Sequence, residues 1–133
     1  MISSISDEED YYAVVESTRS EDRVAVIKFS SERCGACKEL HPKLEKIAKR
    51  WADVDFFDLN FESNTNSKVF KLYGIRRLPY VHIALDGQVV ESFVCPMNQP
   101  QLVRRKLQSH GCEPTKTGPL SWLNRWRSGQ RSA

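Results

Sequence analysis

Residues 24–51 read VAVIKFSSERCGACKELHPKLEKIAKRW: a short apolar run, then two cysteines, then a long stretch with helical spacing. The run Val24–Phe29 is rich in β-branched and aromatic residues, which predicts a largely buried strand. After the cysteines, apolar residues recur every three or four positions, which predicts a helix that begins near Cys34 and is kinked at Pro42. We therefore expect a strand that leads directly through Cys34 and Cys37 into a helix.

The sequence on either side predicts further helices and strands. Ser6 and Glu9 form a capping box, which predicts a first helix over about 7–18. Residues 56–61 predict a second strand, and 67–73 predict a short helix after it. Two consecutive strand–helix units favour parallel strands.

The last part of the folded region is predicted to be an antiparallel hairpin and a helix. Asp86-Gly87 lies between two apolar runs and is a strong hairpin signal, so we expect strands over 80–85 and 88–94. Residues 101–108 predict a final helix. The order of elements is that of an α/β domain.

The composition indicates one folded domain. The chain has 133 residues, a net charge of +3, 40% hydrophobic residues and 28% charged residues. Its longest aliphatic run, Val24–Ile27, is far shorter than the roughly 20 apolar residues that cross a bilayer. Acidic residues 7–10 argue against a targeting peptide in this sequence. We expect a domain over 1–110, a tail over 111–133 and no membrane span.

The two ends of the chain carry opposite charges. Residues 1–22 hold seven acidic side chains and one basic one, whereas 103–133 hold seven basic and one acidic. We interpret both as solvated segments, and a nucleic-acid site is not implied. In the tail, residues 120–126 predict a short amphipathic helix with tryptophans. It either binds a partner or a membrane surface, or packs on its own domain.

The Cys34–Cys37 spacing is typical of redox chemistry. Two cysteines in the first turn of a helix are close enough to form a disulfide and to open it again. Cys34 lies at the positive end of the predicted helix, and Arg33 adds a charge of the same sign, so a thiolate is favoured there. We therefore predict that Cys34 is the nucleophile and Cys37 the resolving cysteine, with no metal or organic cofactor required.

Metal binding is an alternative, because a CxxC pair also begins zinc sites. A zinc site of that type needs a second ligand pair at matching spacing, and neither Cys95 nor Cys112 has one. We expect His41 and His82 to be surface or packed histidines. The further candidate ligands are Cys95, Cys112, His41, His82 and His110.

Several motifs together resemble the thioredoxin family over about residues 3–110. They are CGACK, the helix proline Pro42, LNFE at 59–62 and YGIRRLPY at 73–80, followed by a hairpin and a last helix. The stretches SSERCGACKELHPKLEKIA, LNFES, ESFVC and GCEPTKTGPL are similar to the plant and algal atypical Cys-His-rich thioredoxins. The resemblance implies a thioredoxin fold, with a central mixed β-sheet of four to five strands flanked by helices on both faces.

The same resemblance implies function and location. It implies a monomeric thiol-disulfide oxidoreductase that acts on protein targets, with a peroxiredoxin and a thioredoxin-reducing system as candidate partners. The implied location is the chloroplast stroma, and the cytoplasm is the alternative. A redox-silent binding module that keeps the fold is the competing function, although the intact CxxC pair argues against it.

The resemblance also implies the substrate-binding residues. A cis Pro79 would face the disulfide, and the backbone of Arg77 and Leu78 would align the substrate chain. Arg33 stands where most thioredoxins have Trp, and with Arg76 and Arg77 it would make the surrounding surface basic and favour acidic targets. The alternative is that Arg33 is a solvated loop residue. The implied set is Arg33, Gly35, Ala36, Arg77, Leu78, Pro79 and Cys95.

The charges behind the cysteines appear exchanged relative to the family. Most thioredoxins bury an Asp six residues before the first cysteine and pair it with a Lys, whereas these positions hold Lys28 and Asp58. A Lys28–Asp58 pair would make Asp58 the proton acceptor for Cys37. Lys28 would then stabilise the thiolate and make the protein a weaker reductant. In the alternative, Lys28 extends to the sheet edge and touches neither sulfur.

Cys95 aligns with a loop beside the CxxC pair and Pro79 in the family. We hypothesise that it is a third redox thiol, with Cys112 in a mobile tail as its partner. The alternative is that Cys95 is a small buried apolar residue.

Overall fold

The computed structural model describes residues 1–21 and 23–115 as one alternating α/β chain. All elements predicted for the described residues are present, with bounds within two residues of those expected. The elements are β1 (Ile2–Ile5), α1 (Glu8–Ser20), β2 (Val24–Ser30), α2 (Gly35–Arg50), β3 (Val54–Asn60), α3 (Asn66–Leu72), β4 (Tyr80–Leu85), β5 (Gln88–Val94) and α4 (Gln101–Ser109).

The five strands form one mixed sheet in the order β1-β3-β2-β4-β5. β2 pairs in parallel with β3 and antiparallel with β4, and β4 and β5 form the expected hairpin. The predicted parallel unit and hairpin are therefore confirmed. Every residue of β2 is buried, as befits the central strand.

β1 is the strand that the sequence analysis did not predict. It has only four residues, and two of its side chains, Ser3 and Ser4, are exposed. Its pairing with β3 sets Ile2 opposite Phe56 and Ile5 opposite Leu59. This edge strand depends on a partner about 50 residues away in sequence, so its own residues carry almost no periodic signal.

Helices cover both faces of the sheet, as expected. α2 and α4 pack on the face that carries Val24 and Val26 of β2, whereas α1 and α3 pack on the face that carries Ile27 and Phe29. Alternate residues of a strand point to opposite faces, so one buried strand supplies both cores. Within the described residues, no helix is long and apolar enough to cross a membrane.

The start of α1 differs from the predicted capping box. Asp7, in extended conformation, is the N-cap, and its carboxylate accepts from the Asp10 amide at 2.9 Å. Ser6 donates its own amide and hydroxyl to the Asp10 carboxylate at 3.1 and 3.3 Å. The capping-box prediction was wrong because Asp7, one residue further on, has the extended backbone that capping requires.

Residues after α4 pack back on the domain. Cys112 and Thr115 are 2% and 8% exposed. The Thr115 amide donates to the Arg50 carbonyl at 2.7 Å, at the carboxyl end of α2. The placement of Cys112 in a mobile tail was therefore wrong. The helix predicted over 120–126 lies outside the described residues.

Candidate active site

The two cysteines lie at the point where β2 leads into α2. Cys34 is the N-cap of α2, and its Sγ accepts from the Cys37 amide at 3.1 Å. The two residues form a disulfide with their Cα atoms 5.3 Å apart. Cys34 is half-buried, whereas Cys37 is only 2% exposed. An attacking group from solvent therefore meets Cys34 first, at the helix end that stabilises a thiolate.

Glu62 holds the loop that precedes Cys34. Its two carboxylate oxygens accept from the Ser31 hydroxyl at 2.7 Å and from the Glu32 amide at 2.9 Å. These bonds, led by that from the Glu32 amide, lower the pKa of Glu62. The parallel pairing of β2 with β3 brings the two loops together, as the bond from the Phe61 amide to the Ser30 carbonyl shows.

Sequence reasoning missed Glu62 as a positioning residue. The available signal was its place directly after β3, because the carboxyl ends of neighbouring parallel strands meet at one edge of a sheet.

The segment around Pro79 reaches the same edge of the sheet. The Leu78-Pro79 peptide bond is cis, as the family resemblance implied. The pairing of Phe29 with Tyr80 sets the residues before β4 beside the end of β2. The Cys95 amide donates to the Pro79 carbonyl at 2.9 Å, which adds the loop after β5 to this cluster of segments.

Lys28 lies buried behind Cys37. It is 3% exposed, and its Nζ has three acceptors: Asp58 Oδ1 at 3.1 Å, His41 Nδ1 at 2.9 Å and the Cys37 carbonyl at 3.4 Å. An ammonium has three N–H donors, so this geometry satisfies all of them. The predicted Lys28–Asp58 pair is present and Lys28 is buried, so its extension to the sheet edge was wrong, whereas its three contacts include no sulfur, as that alternative held.

An open cleft of about 500 Å³ connects this cluster with solvent. Cys37, Lys28, Asp58 and His41 all line it. The Asp58 carboxylate also accepts from the Ser30 hydroxyl at 2.9 Å and keeps 21% of its side chain exposed. Cys37 and Asp58 therefore share one opening to solvent.

The contact of His41 with Lys28 was not anticipated. The sequence analysis expected a surface or packed histidine, and His41 is 36% exposed. The signal that could have found the contact is helical spacing, because His41 follows Cys37 by four residues and lies on the same helix face.

Cys95 and Cys112 lie in the apolar core on the α2 and α4 side of the sheet. Cys95 is fully buried, and burial raises the pKa of its thiol to about 11. Exchange requires an accessible thiolate, so this placement favours the interpretation of Cys95 as a buried apolar residue. The redox role of Cys95 stays a prediction.

The metal-binding alternative requires a cluster of ligand side chains, and the part of the chain that the structure describes contains none. There, no three His, Cys, Asp or Glu side chains come together in a way that could hold a metal ion. His82 lies buried among aromatic rings, and His110 Nε2 lies 2.7 Å from Glu91 Oε2.

Comparison with known proteins supplies the family. The family model described as Thioredoxin matches residues 3–107. The chain is 34% identical over 107 residues to Thioredoxin-like 1-1, chloroplastic, of Arabidopsis thaliana, a match that covers 80% of this chain and 38% of the relative. It is 30% identical over 100 residues to Thioredoxin-like 2, chloroplastic, of Oryza sativa subsp. japonica, covering 74% and 45%. The chain thus spans less than half the length of these curated relatives.

The fold is likewise that of solved thioredoxins. The crystal structure of thioredoxin from Trypanosoma brucei brucei superposes with a TM-score of 0.70 at 26% identity, covering 82% of this chain and 89% of that one.

Proposed function

This chain belongs to the thioredoxin family, and on that premise we propose that it is a thiol-disulfide oxidoreductase that exchanges disulfides with protein targets. The observation that carries the proposal is the Cys34–Cys37 disulfide at the start of α2, with Cys34 the more accessible and Cys37 buried. Such asymmetry separates the two chemical roles, because only the accessible sulfur can meet a bulky substrate.

The exchange has two steps. In the reduced protein the Cys34 thiolate attacks a target disulfide, a mixed disulfide forms, and one target sulfur leaves as a thiolate. The Cys37 thiolate then attacks the Cys34 sulfur, which releases the second target sulfur and closes the Cys34–Cys37 disulfide. Two electrons pass to the target, whose thiolates take up protons. The reverse sequence oxidises a target.

The groups behind Cys37 support the second step. Asp58 accepts the proton that Cys37 loses before its attack, by way of the open cleft that both residues line. Lys28 places a buried cation against the Cys37 carbonyl, and such a charge stabilises the thiolate and so the reduced protein. A stabilised reduced form has a higher reduction potential, by 30 mV for each ~1.4 kcal/mol.

The substrate surface is proposed to consist of Arg33, Gly35 and Ala36, the segment Arg77–Pro79, and the neighbourhood of Cys95. Arg33, Arg76 and Arg77 are exposed, and within the described residues none of them forms an ion pair. We call these three arginines the basic rim. Exposed guanidinium groups attract carboxylates, so the rim favours targets with acidic surfaces around their disulfides, and Glu62 offsets part of the charge of Arg33.

The chloroplast stroma is the proposed location, supported by the word chloroplastic in the names of both curated relatives. The cytoplasm is the alternative. A peroxiredoxin and a thioredoxin-reducing system are proposed partners, and we propose that the protein acts as a monomer. We further propose a thioredoxin domain over 1–110 and a tail over 111–133, of which residues 112–115 pack on the domain.

The proposal is tested by titrating the full chain through a series of dithiol redox buffers, trapping thiols at each potential and locating disulfides by mass spectrometry. We expect one two-electron couple, formed by Cys34 and Cys37, with a midpoint above the thioredoxin value of about −270 mV. A midpoint at −270 mV that Lys28→Met leaves unchanged would remove the role of Lys28. Cysteines that never cycle would favour the binding module, and stoichiometric zinc in a colorimetric assay would favour the metal-binding protein.

A further inference from the structure

The Lys28 ammonium is held in place from three directions. Asp58 of β3 accepts one N–H, the Cys37 carbonyl of α2 accepts another, and His41 Nδ1 accepts the third at 2.9 Å, the shortest of the three contacts. Lys28 keeps only 4% of its side chain exposed, whereas His41 keeps 36%. The imidazole therefore lies between the buried ammonium and solvent.

The contacts of His41 define which tautomer it adopts. An ammonium can only donate, so Nδ1 must be the unprotonated ring nitrogen that accepts from Lys28. Nε2 then carries the proton and points toward Glu45 Oε1, at 3.3 Å. The neutral imidazole with its proton on Nε2 is therefore the form that can accept from Lys28.

We propose that His41 is a positioning residue: its Nδ1 holds the Lys28 ammonium against Cys37 and thereby sets the reactivity of the resolving cysteine. The inference deepens the proposed function and rests on it. It assigns His41 a role in the second step of exchange, whereas the attack by Cys34 does not depend on it.

Protonation of His41 reverses this arrangement. An imidazolium has no acceptor at Nδ1 and would set a second cation 2.9 Å from Lys28 Nζ. Lys28 would then lose its shortest contact and be repelled from its site. Lys28 and Glu45 contact His41, and the other charged groups that line the same cleft are Asp58 from β3, Lys38 from α2 and Glu32 from the loop before it.

The test separates the two chemical steps with an aromatic disulfide, 5,5′-dithiobis(2-nitrobenzoate), mixed with excess reduced full-length protein in a stopped-flow instrument. The first released thiolate reports attack by Cys34. The second reports attack by Cys37 on the mixed disulfide. The variants are His41→Leu, which removes the acceptor, His41→Gln, which supplies a carboxamide oxygen, and Lys28→Met. His110→Leu is the control, because its partner Glu91 lies on β5 outside the cleft.

We expect His41→Leu to slow the second phase about tenfold, the change in thiolate population that follows from one unit of thiol pKa, and to leave the first phase within about twofold. His41→Gln restores most of the rate, because its carboxamide oxygen replaces the acceptor that Lys28 loses. In a Lys28→Met background, His41→Leu has no further effect, because the two residues act as one unit. His110→Leu matches wild type.

Two outcomes would overturn the inference: a second phase that His41→Leu leaves unchanged, or an equal slowing by His41→Leu with and without Lys28. Either can occur in a protein that still releases both thiolates, so the proposed function would survive. A wild-type protein that releases no second thiolate would overturn the proposed function, and the role of His41 with it.

Discussion

Arg33 precedes Cys34 in the chain and belongs to the basic rim with Arg76 and Arg77. All three side chains are exposed to solvent, and Glu62 offsets part of the charge of Arg33. Exposed charges change the rate of association more than the strength of the final complex, and salt screens them.

We predict that Arg33→Glu lowers the second-order rate of reduction of a disulfide peptide with acidic flanks about five- to tenfold at low ionic strength. The effect shrinks as salt is raised and reverses in sign for a peptide with basic flanks. Arg105→Glu on α4 is the matched control, since it changes the net charge equally at an exposed position. Equal rates for Arg33→Glu and Arg105→Glu with both peptides would show that the rim does not select targets.

At the scale of elements, the carboxyl end of α2 is tied down by a residue that follows α4. Thr115 Oγ1 accepts from the Ala52 amide at 2.7 Å and donates to the Arg50 carbonyl at 3.2 Å. The last carbonyl groups of a helix have no intrahelical partner, and Thr115 donates a hydrogen bond to one of them, the Arg50 carbonyl. The segment after α4 thus stabilises the helix that carries both cysteines.

Thr115→Val removes the hydroxyl but keeps the shape of the side chain. We predict a loss of about 1 kcal/mol in the free energy of unfolding, because the Ala52 amide loses its acceptor in a part-buried hydrogen bond. Urea denaturation measures it. Thr115→Ser, which keeps the hydroxyl, should retain most of the stability. If Val and Ser variants are equally stable, the hydroxyl contributes nothing and only the backbone contacts hold the segment.

At the scale of the whole molecule, the core between α1, α3 and the sheet contains a histidine. His82 is 1% exposed, its Nδ1 lies 3.0 Å from Tyr11 Oη, and its ring packs on Phe29 and Tyr73. Burial lowers its pKa to about 4 from an ordinary value of 6.5. His82 is therefore neutral in the folded protein at neutral pH.

The depressed pKa of His82 makes global stability depend on pH. Above pH 6.5 neither state binds the proton, so the stability is complete, whereas between pH 6.5 and about 4 only the unfolded chain is protonated. We predict that His82 alone costs about 3 kcal/mol of unfolding free energy over this window. Urea denaturation at several pH values between 6.5 and about 4 measures the free energy of unfolding of wild type and of His82→Phe. Wild type should lose about 3 kcal/mol more than the variant over this range. Parallel pH curves for the two proteins would contradict it.

Much of this molecule follows from local sequence. β2, α2 and the hairpin were predictable because the apolar β-branched run Val24–Phe29, the helical spacing after Cys34 and the Asp86-Gly87 turn each act over a few residues. Asp86 and Gly87 have φ angles of 54° and 80°, the left-handed region that this pair of residue types favours.

Site residues could be predicted from the sequence alone only where they lie close together in the chain. The spacing of Cys34 and Cys37 was enough to predict the disulfide pair, whereas the pairing of Lys28 with Asp58 was predicted from the family resemblance. The contact of His41 with Lys28 and that of Glu62 with the Ser31 loop were not foreseen.

The sequence by itself determined every described element except β1, the CxxC pair and the family, because periodicity, turn chemistry and a CxxC motif are local properties. Only the tertiary structure decided that β1 joins the sheet, that His41 touches the ammonium of Lys28, and that Cys95 and Cys112 are buried. The physical reason is that such contacts join residues from separate elements or loops. They depend on strand register and on how helices pack, and no short stretch of sequence specifies either.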